Sequence, residues 1–158
     1  MDFSTREDIE APLDRVFALA SNFEQLERQV MRHGVEVTRL TPDDVAPTPK
    51  GGKSWLASFR FRGKARSAQV DLTRYDPPNT MVYTTTAGGL RTLTTVEFVA
   101  LSRTRTRIGI SVELQPQTLS ARLLVQSLKL ARGTIEKRFK VAISNYATEI
   151  EKRFKRQA

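Results

Sequence analysis

The sequence predicts an α+β fold in which a curved antiparallel seven-stranded sheet wraps around one long C-terminal helix. The element order is one strand, two short helices, six strands and a final helix. Three observations predict it. Residues 1–116 read as short alternating segments broken by Pro, Gly and Asn turns, with one brief helical patch near the start. From Thr118 onward there is no proline, and apolar side chains recur at steps of three or four. No helical pattern separates the last six strands, so they pair by hairpins and not through parallel crossovers.

Phe3, Thr5, Glu7 and Ile9 alternate with polar neighbours, which makes residues 2–10 the first strand. Ala11-Pro12 ends it, and proline suits the first turn of a helix, where its missing N–H costs nothing. Leu13, Val16, Phe17 and Ala20 then share one helical face. Ser21 or Asn22 caps a second short helix, with Glu24 near its start, Phe23, Leu26 and Val30 apolar, and Gly34 as its stop. Val35, Val37 and Leu40 begin the second strand.

Residues 41–52 place three prolines and two glycines in twelve positions and form a loop. Strand three follows, with Trp55, Ala57, Phe59 and Phe61 on one face and Ser54, Ser58, Arg60 and Arg62 on the other. Gly63-Lys64 turns it into strand four, whose Ala68, Val70 and Leu72 are apolar. Asp76-Pro77-Pro78-Asn79 is a turn. Met81 to Thr86 form strand five, and Gly88-Gly89 a tight connection. Thr92, Thr94, Val96 and Phe98 give strand six its inward face. Ile108, Ile110, Val112 and Leu114 do so for strand seven, after Ser102-Arg103-Thr104.

In the final helix Leu124, Leu128, Ala131, Ile135, Phe139, Ala142, Tyr146 and Ile150 form one buried stripe. An unbroken helix there outreaches strands of ten residues, which span about 34 Å. Either Gly133 marks a bend or the last turns project past the sheet. Ile-Glu-Lys-Arg-Phe-Lys occurs at 135–140 and again at 150–155. Fifteen residues overshoot four turns by about 60°, so Phe154 and Phe139 face differently. Either the repeat is a by-product of an amphipathic composition, or the terminal turns meet a second subunit or an anionic bilayer.

Composition narrows the function. A chain of 158 residues, 39% hydrophobic and 27% charged, is expected to be one globular domain with a substantial core. No apolar run reaches the ~20 residues of a membrane span, and the first residues lack a basic, apolar leader; a cytoplasmic protein is expected. The absence of cysteine excludes disulfides, thiolate metal sites and a cysteine nucleophile. His33 is the sole histidine, so a histidine-rich metal site is excluded too, and no cofactor is expected. The net charge of +9 is uneven. Residues 1–50 hold six Lys/Arg against ten Asp/Glu, and residues 51–158 hold twenty against seven.

Ile9-Glu10-Ala11-Pro12-Leu13-Asp14-Arg15-Val16-Phe17 resembles the opening of the START-like (SRPBCC) superfamily, which includes the pollen-allergen fold and the polyketide cyclase/dehydrase and lipid-transport proteins. Tyr75-Asp76-Pro77-Pro78-Asn79-Thr80-Met81-Val82-Tyr83 is similar to its turn between central strands. Thr95-Val96-Glu97-Phe98 followed by Thr104-Arg105-Thr106-Arg107-Ile108 resembles its penultimate hairpin. The resemblance covers nearly the whole chain. It implies a helix-grip fold with a hydrophobic cavity between the sheet and the final helix. It carries no chemistry, because such folds host binders, transporters and enzymes alike.

Alternation selects the candidate ligand contacts on the sheet: Trp55, Phe59, Phe61, Val70, Leu72, Tyr83, Val96, Phe98, Ile110 and Val112. Leu128, Ile135 and Phe139 face them from the helix. By pattern alone any single one of these is more often core filler than ligand contact; for the set, the family resemblance implies a cavity. Tyr83 changes face if its strand slips by one residue. No catalytic constellation emerges. His33 reads as a helix C-terminal cap, Asp43 and Asp44 lie in the loop, and Glu97 and Glu113 point outward. Arg60, Arg62, Lys64 and Arg66, like Arg103, Arg105 and Arg107, cover the wet face. Nucleic acid is disfavoured, since the aromatics sit on the opposite face from these cations. Three readings stay open: a carrier or sensor of a small hydrophobic molecule, lipid-like or aromatic; an aromatase/cyclase-type enzyme on a polyketide-like substrate; and a lipid- or quinone-handling protein docked on an anionic membrane.

Overall fold

The computed structural model describes residues 1–157. Its elements are β1 (Asp2–Ile9), α1 (Leu13–Ala20), α2 (Phe23–Arg32), β2 (Glu36–Arg39), β3 (Lys53–Phe61), β4 (Lys64–Asp76), β5 (Thr80–Ala87), β6 (Leu90–Ser102), β7 (Arg105–Pro116), α3 (Leu119–Lys129) and α4 (Arg132–Gln157). The strands form one antiparallel sheet in the order β1-β7-β6-β5-β4-β3-β2. Strands two to seven therefore follow the chain, as the turn signals predict, and β1 closes against β7.

Local chemistry sets the register. Arg62 and Gly63 both take positive φ (52° and 75°), the geometry of a two-residue hairpin, so the turn falls one residue before Gly63-Lys64. In β4 a bulge between Leu72 and Arg74 leaves Thr73 unpaired. The extra residue lets Leu72 and Tyr75, three apart, both join the core side. The 41–52 loop is fastened at this bulge, where Gly52 N–H donates to the Leu72 carbonyl at 3.2 Å. Gly51, at φ +89°, would place a Cβ 1.8 Å from that same carbonyl oxygen, so only glycine fits.

The solid part of the core lies where α1 meets the sheet. Val16, Phe17, Leu19 and Ala20 are buried there. Phe17 packs edge-on against Phe98, ring centroids 5.0 Å apart, and against Tyr75 at 5.5 Å. The wholly buried Thr106 donates its hydroxyl to the Ala11 carbonyl at 2.8 Å, fixing the β1–α1 corner to β7.

The expected single C-terminal helix is two helices. The break is at Leu130–Ala131, ahead of Gly133: both N–H groups bond to carbonyls three residues back, which tightens the turn before α4 begins. α3 rests on β7, while α4 runs along β1 and α1. Nor do the last turns stand clear of the fold. Phe154 packs on the core, with the Arg15 guanidinium 5.2 Å from its ring centre. Glu151 accepts from Glu10 N–H at 2.7 Å, and Arg15 donates to the Gln157 side chain at 3.2 Å. What the repeated hexapeptide's second copy meets is α1.

Phe98→Ala should lower the unfolding free energy by about 3–5 kcal/mol, measured by chemical denaturation, because Phe98 is 1% exposed and its removal leaves a cavity against Phe17.

Candidate functional site

Beyond α1 the sheet is not filled by the chain's own side chains. A cavity of about 470 Å³ lies between α2, α4 and the central strands. Its floor is Met81, Tyr83, Thr94, Val96, Ile110 and Val112; its walls are Leu26 and Val30 of α2 and Phe139, Ile143 and Tyr146 of α4. The exposed residues Arg32, His33, Ala142 and Asn145 mark its mouth, between the end of α2 and the middle of α4. A second lobe of about 250 Å³ shares Leu26, Val30, Tyr83 and Thr94, and continues to Phe23, Val37, Trp55, Ala57, Val70 and Thr85. Both lobes run beneath α2, none of whose residues is fully buried.

Of the residues that alternation selects, Trp55, Val70, Tyr83, Val96, Ile110, Val112 and Phe139 line one lobe or the other. Tyr83 takes the inward face. The remaining six lie elsewhere. Leu72 and Phe98 are sealed in the solid core. Phe59 and Phe61 lie farther along β3 than the roof extends, and Phe61 is flanked by Arg62 and Arg66. Leu128 and Ile135 lie near the α3–α4 break and line neither lobe. Sequence reasoning also missed residues. Leu26 and Val30 read as apolar on the second helix, but nothing in their spacing said that this helix roofs a cavity. Tyr146 belongs to the helical stripe, and a polar atom in that stripe was the available signal.

A family model described as polyketide cyclase / dehydrase and lipid transport matches residues 1–151. The chain belongs to this polyketide cyclase/dehydrase and lipid transport family. Solved structures agree on the fold. A protein of Thermus thermophilus superposes with TM-score 0.65 at 17% identity, covering 97% of this chain and 96% of that one. The Zhui aromatase/cyclase from Streptomyces sp. R1128 gives 0.65 at 14%, covering 98% and 95%. Ara h 8.0201 gives 0.55 at 15%, covering 94% and 98%. At these identities the likeness is one of fold, the helix-grip arrangement. No curated protein matches the chain.

The polar residues of the larger lobe are Gln29, Arg32, His33, Asn145 and Glu149 from the helices, with Thr94 and Tyr83 on the floor and Tyr146 in the wall. The Tyr83 hydroxyl has only the Met81 sulfur, 3.9 Å away, and a thioether is a weak acceptor. The Tyr146 hydroxyl has no partner among the described residues. Burial pushes Tyr146 up to about 12 and raises Tyr83 as well. Both phenols therefore stay protonated at neutral pH and offer donors. Farther along α4, Arg153 keeps one buried guanidinium nitrogen, Nη2, without an acceptor.

The roof is held at its outer edge by Glu27. Its carboxylate accepts from Arg39 Nε at 3.0 Å, from Arg39 Nη2 at 2.8 Å and from Trp55 Nε1 at 3.1 Å. Asp43 of the loop pairs with the same arginine. Burial opposes ionisation of Glu27, but hydrogen bonds from Arg39 and Trp55 outweigh it and hold the carboxyl below its ordinary 4.5. Since the folded value is the lower one, Glu27 stabilises the fold above that ordinary value and loses its effect as pH falls through the folded one. Glu27→Gln should lower the thermal midpoint at pH 7, and the gap from the parent should close as both are taken from pH 5 toward pH 3. A gap of constant size would contradict the assignment.

Proposed function

We propose that the protein is a cytoplasmic carrier or sensor that encloses one small hydrophobic molecule, lipid-like or aromatic, under α2. The cavity carries this reading: about 470 Å³ of space walled by aliphatic and aromatic side chains, within the roughly 300–1,000 Å³ of small-molecule sites. Trp55, Val70, Val96, Ile110, Val112 and Phe139 supply apolar contact. Tyr83 and Tyr146 donate to an oxygen of the guest, so a molecule with an apolar body and a carbonyl or similar acceptor suits the site better than a plain hydrocarbon. Their hydroxyls, poorly partnered within the protein, gain a bond when such a guest enters.

Aromatase/cyclase-type action on a polyketide-like substrate is a second reading, favoured by the same two phenols. Two donors lining one cavity would hold a substrate carbonyl and stabilise charge growing on its oxygen. The step also needs a base: tyrosines held protonated at neutral pH are poor ones, and of the other lining groups His33 sits at the exposed mouth while Glu149 is paired with Arg153 and Arg156. Binding without turnover accounts for the groups present.

Native mass spectrometry of the purified protein, paired with fluorescence titration of an anilinonaphthalene sulfonate dye, tests the first reading. The protein should carry a small-molecule adduct or take up the dye at one site. Ala142→Trp, which plugs the exposed mouth, should abolish uptake while leaving the fold intact by circular dichroism. Tyr83→Phe and Tyr146→Phe should each weaken a carbonyl-bearing guest roughly fivefold, about 1 kcal/mol, and leave a matched hydrocarbon unaffected. Dye uptake indifferent to Ala142→Trp would place binding outside the cavity.

A further inference from the structure

Helix α3 is apolar on two opposite sides. Ala121 and Val125 are buried toward the sheet, and Leu124 and Leu128 are half-buried beside them. At about 3.6 residues per turn, Leu119, Leu123 and Leu130 fall within roughly 40° of one another and nearly opposite that buried face. They are 72%, 63% and 91% exposed. One exposed leucine needs no explanation, but three aligned on a single helix do. The turn at Leu130–Ala131 adds to the effect, because it sets Leu130 on an outer corner.

Along the helix itself the charges have one sign. Residues 118–135 contain Arg122, Lys129 and Arg132 and no acid. Arg122 and Lys129 are exposed along one flank of the leucines. The β3–β4 turn reaches the same place, with Arg62 Nη2 donating to Ser127 Oγ at 2.7 Å. Lys64, in the same turn, is exposed and makes no ion pair among the described residues. The first acid after the stripe, Glu136, is taken up by Arg132 at 2.8 Å.

We propose that α3 docks on anionic phospholipid bilayers, with Leu119, Leu123 and Leu130 entering the headgroup boundary and Arg62, Arg122 and Lys129 meeting the lipid phosphates. Charge decides between this occupant and a second copy of the chain. A two-fold contact across the stripe would set Arg122 and Lys129 against their own copies with no acid on the helix between them, whereas an anionic bilayer satisfies the leucines and the cations together. The terminal turns of α4 suit the role less well. Their Phe154 is packed against the core, and Lys155, Arg153 and Arg156 are matched by Glu151 and Glu149.

The test is co-sedimentation of the full chain with phosphatidylcholine vesicles and with vesicles that also contain phosphatidylserine, at low and high salt. The parent should bind only the anionic vesicles, and less at high salt. The triple change Leu119→Ser, Leu123→Ser and Leu130→Ser should abolish binding with an unaltered thermal midpoint. Arg122→Ser with Lys129→Ser, a second variant independent of the apolar stripe, should weaken binding about fivefold for each charge removed. Lys152→Ser with Lys155→Ser, in the terminal turns, should leave it unchanged. Equal binding to both vesicle types, binding to neither, or retention in the leucine variant overturns the proposal. So does sedimentation of the parent as a dimer that the leucine changes dissolve, which would assign the stripe to a second copy.

Discussion

Glu27 is the point on which the hollow half of the molecule depends. Helix α2 has no fully buried residue, so little apolar burial fixes it over the sheet. Its hold comes from Phe23 against Trp55, ring centroids 5.5 Å apart, and from the carboxylate that joins Trp55 to Arg39. A roof seated by packing alone would gain stability by sinking until the space beneath it closed. A polar anchor with fixed partners sets a distance, because charge-assisted bonds to an arginine fork and an indole are directional. The anchor also ties in the loop: Asp43 completes the arginine's partners, so the segment between β2 and β3 is fastened at Asp43 and at Gly51–Gly52.

The molecule thus divides its sheet between two uses. Under α1 the concave face is filled by buried side chains, among them Phe17, Phe98, Ile9, Ile108 and Ile150. Under α2 the same strands, a few residues along, turn Val96, Ile110 and Val112 toward space. The first half supplies the stability that the second half forgoes, since side chains lining a void lose contact partners on one side. Tyr83 and Tyr146 sharpen the asymmetry. Their hydroxyls line the space with a weak protein partner in one case and none among the described residues in the other, so hydrogen-bonding capacity is left open toward the cavity.

The strands and their faces were legible in the sequence because a period of two is unambiguous where aromatics alternate with Ser and Arg, as at 54–62. That legibility ended where parity alone stops deciding depth. Phe98 and Val96 share a face two residues apart, yet one is sealed and the other lines the cavity, and only the placement of α1 and α2 separates them. The β4 bulge was illegible for a related reason, since the surplus Thr73 looks like any strand residue. The break at Leu130 was hidden by excess: leucines at 119, 123, 124, 128 and 130 fit a helical period on more than one side, so no gap in the pattern marks the turn. Gly133, the residue that invited the bend, lies inside α4.

The uneven charge of the chain finds its account in the fold. Acids of the first fifty residues meet cations from far along the sequence: Asp8 of β1 with Arg107 at 2.9 Å, and Glu10, just past β1, with Arg105 at 2.8 Å. In the last turns of α4, Glu149 pairs with Arg153 and Arg156, and Glu151 with Lys155. The cations that make no ion pair among the described residues include Arg60, Arg62, Lys64 and Arg66 around the β3–β4 turn, and Arg122 and Lys129 on α3. Folding brings these two groups together through Arg62 and Ser127, so a surplus spread along the sequence becomes a local field. Exposed cations at such spacing repel one another, and here the fold bears that repulsion beside a row of exposed leucines. Two costs placed on the same surface, each relieved by an anionic apolar boundary, are better explained by a shared partner than by separate accidents.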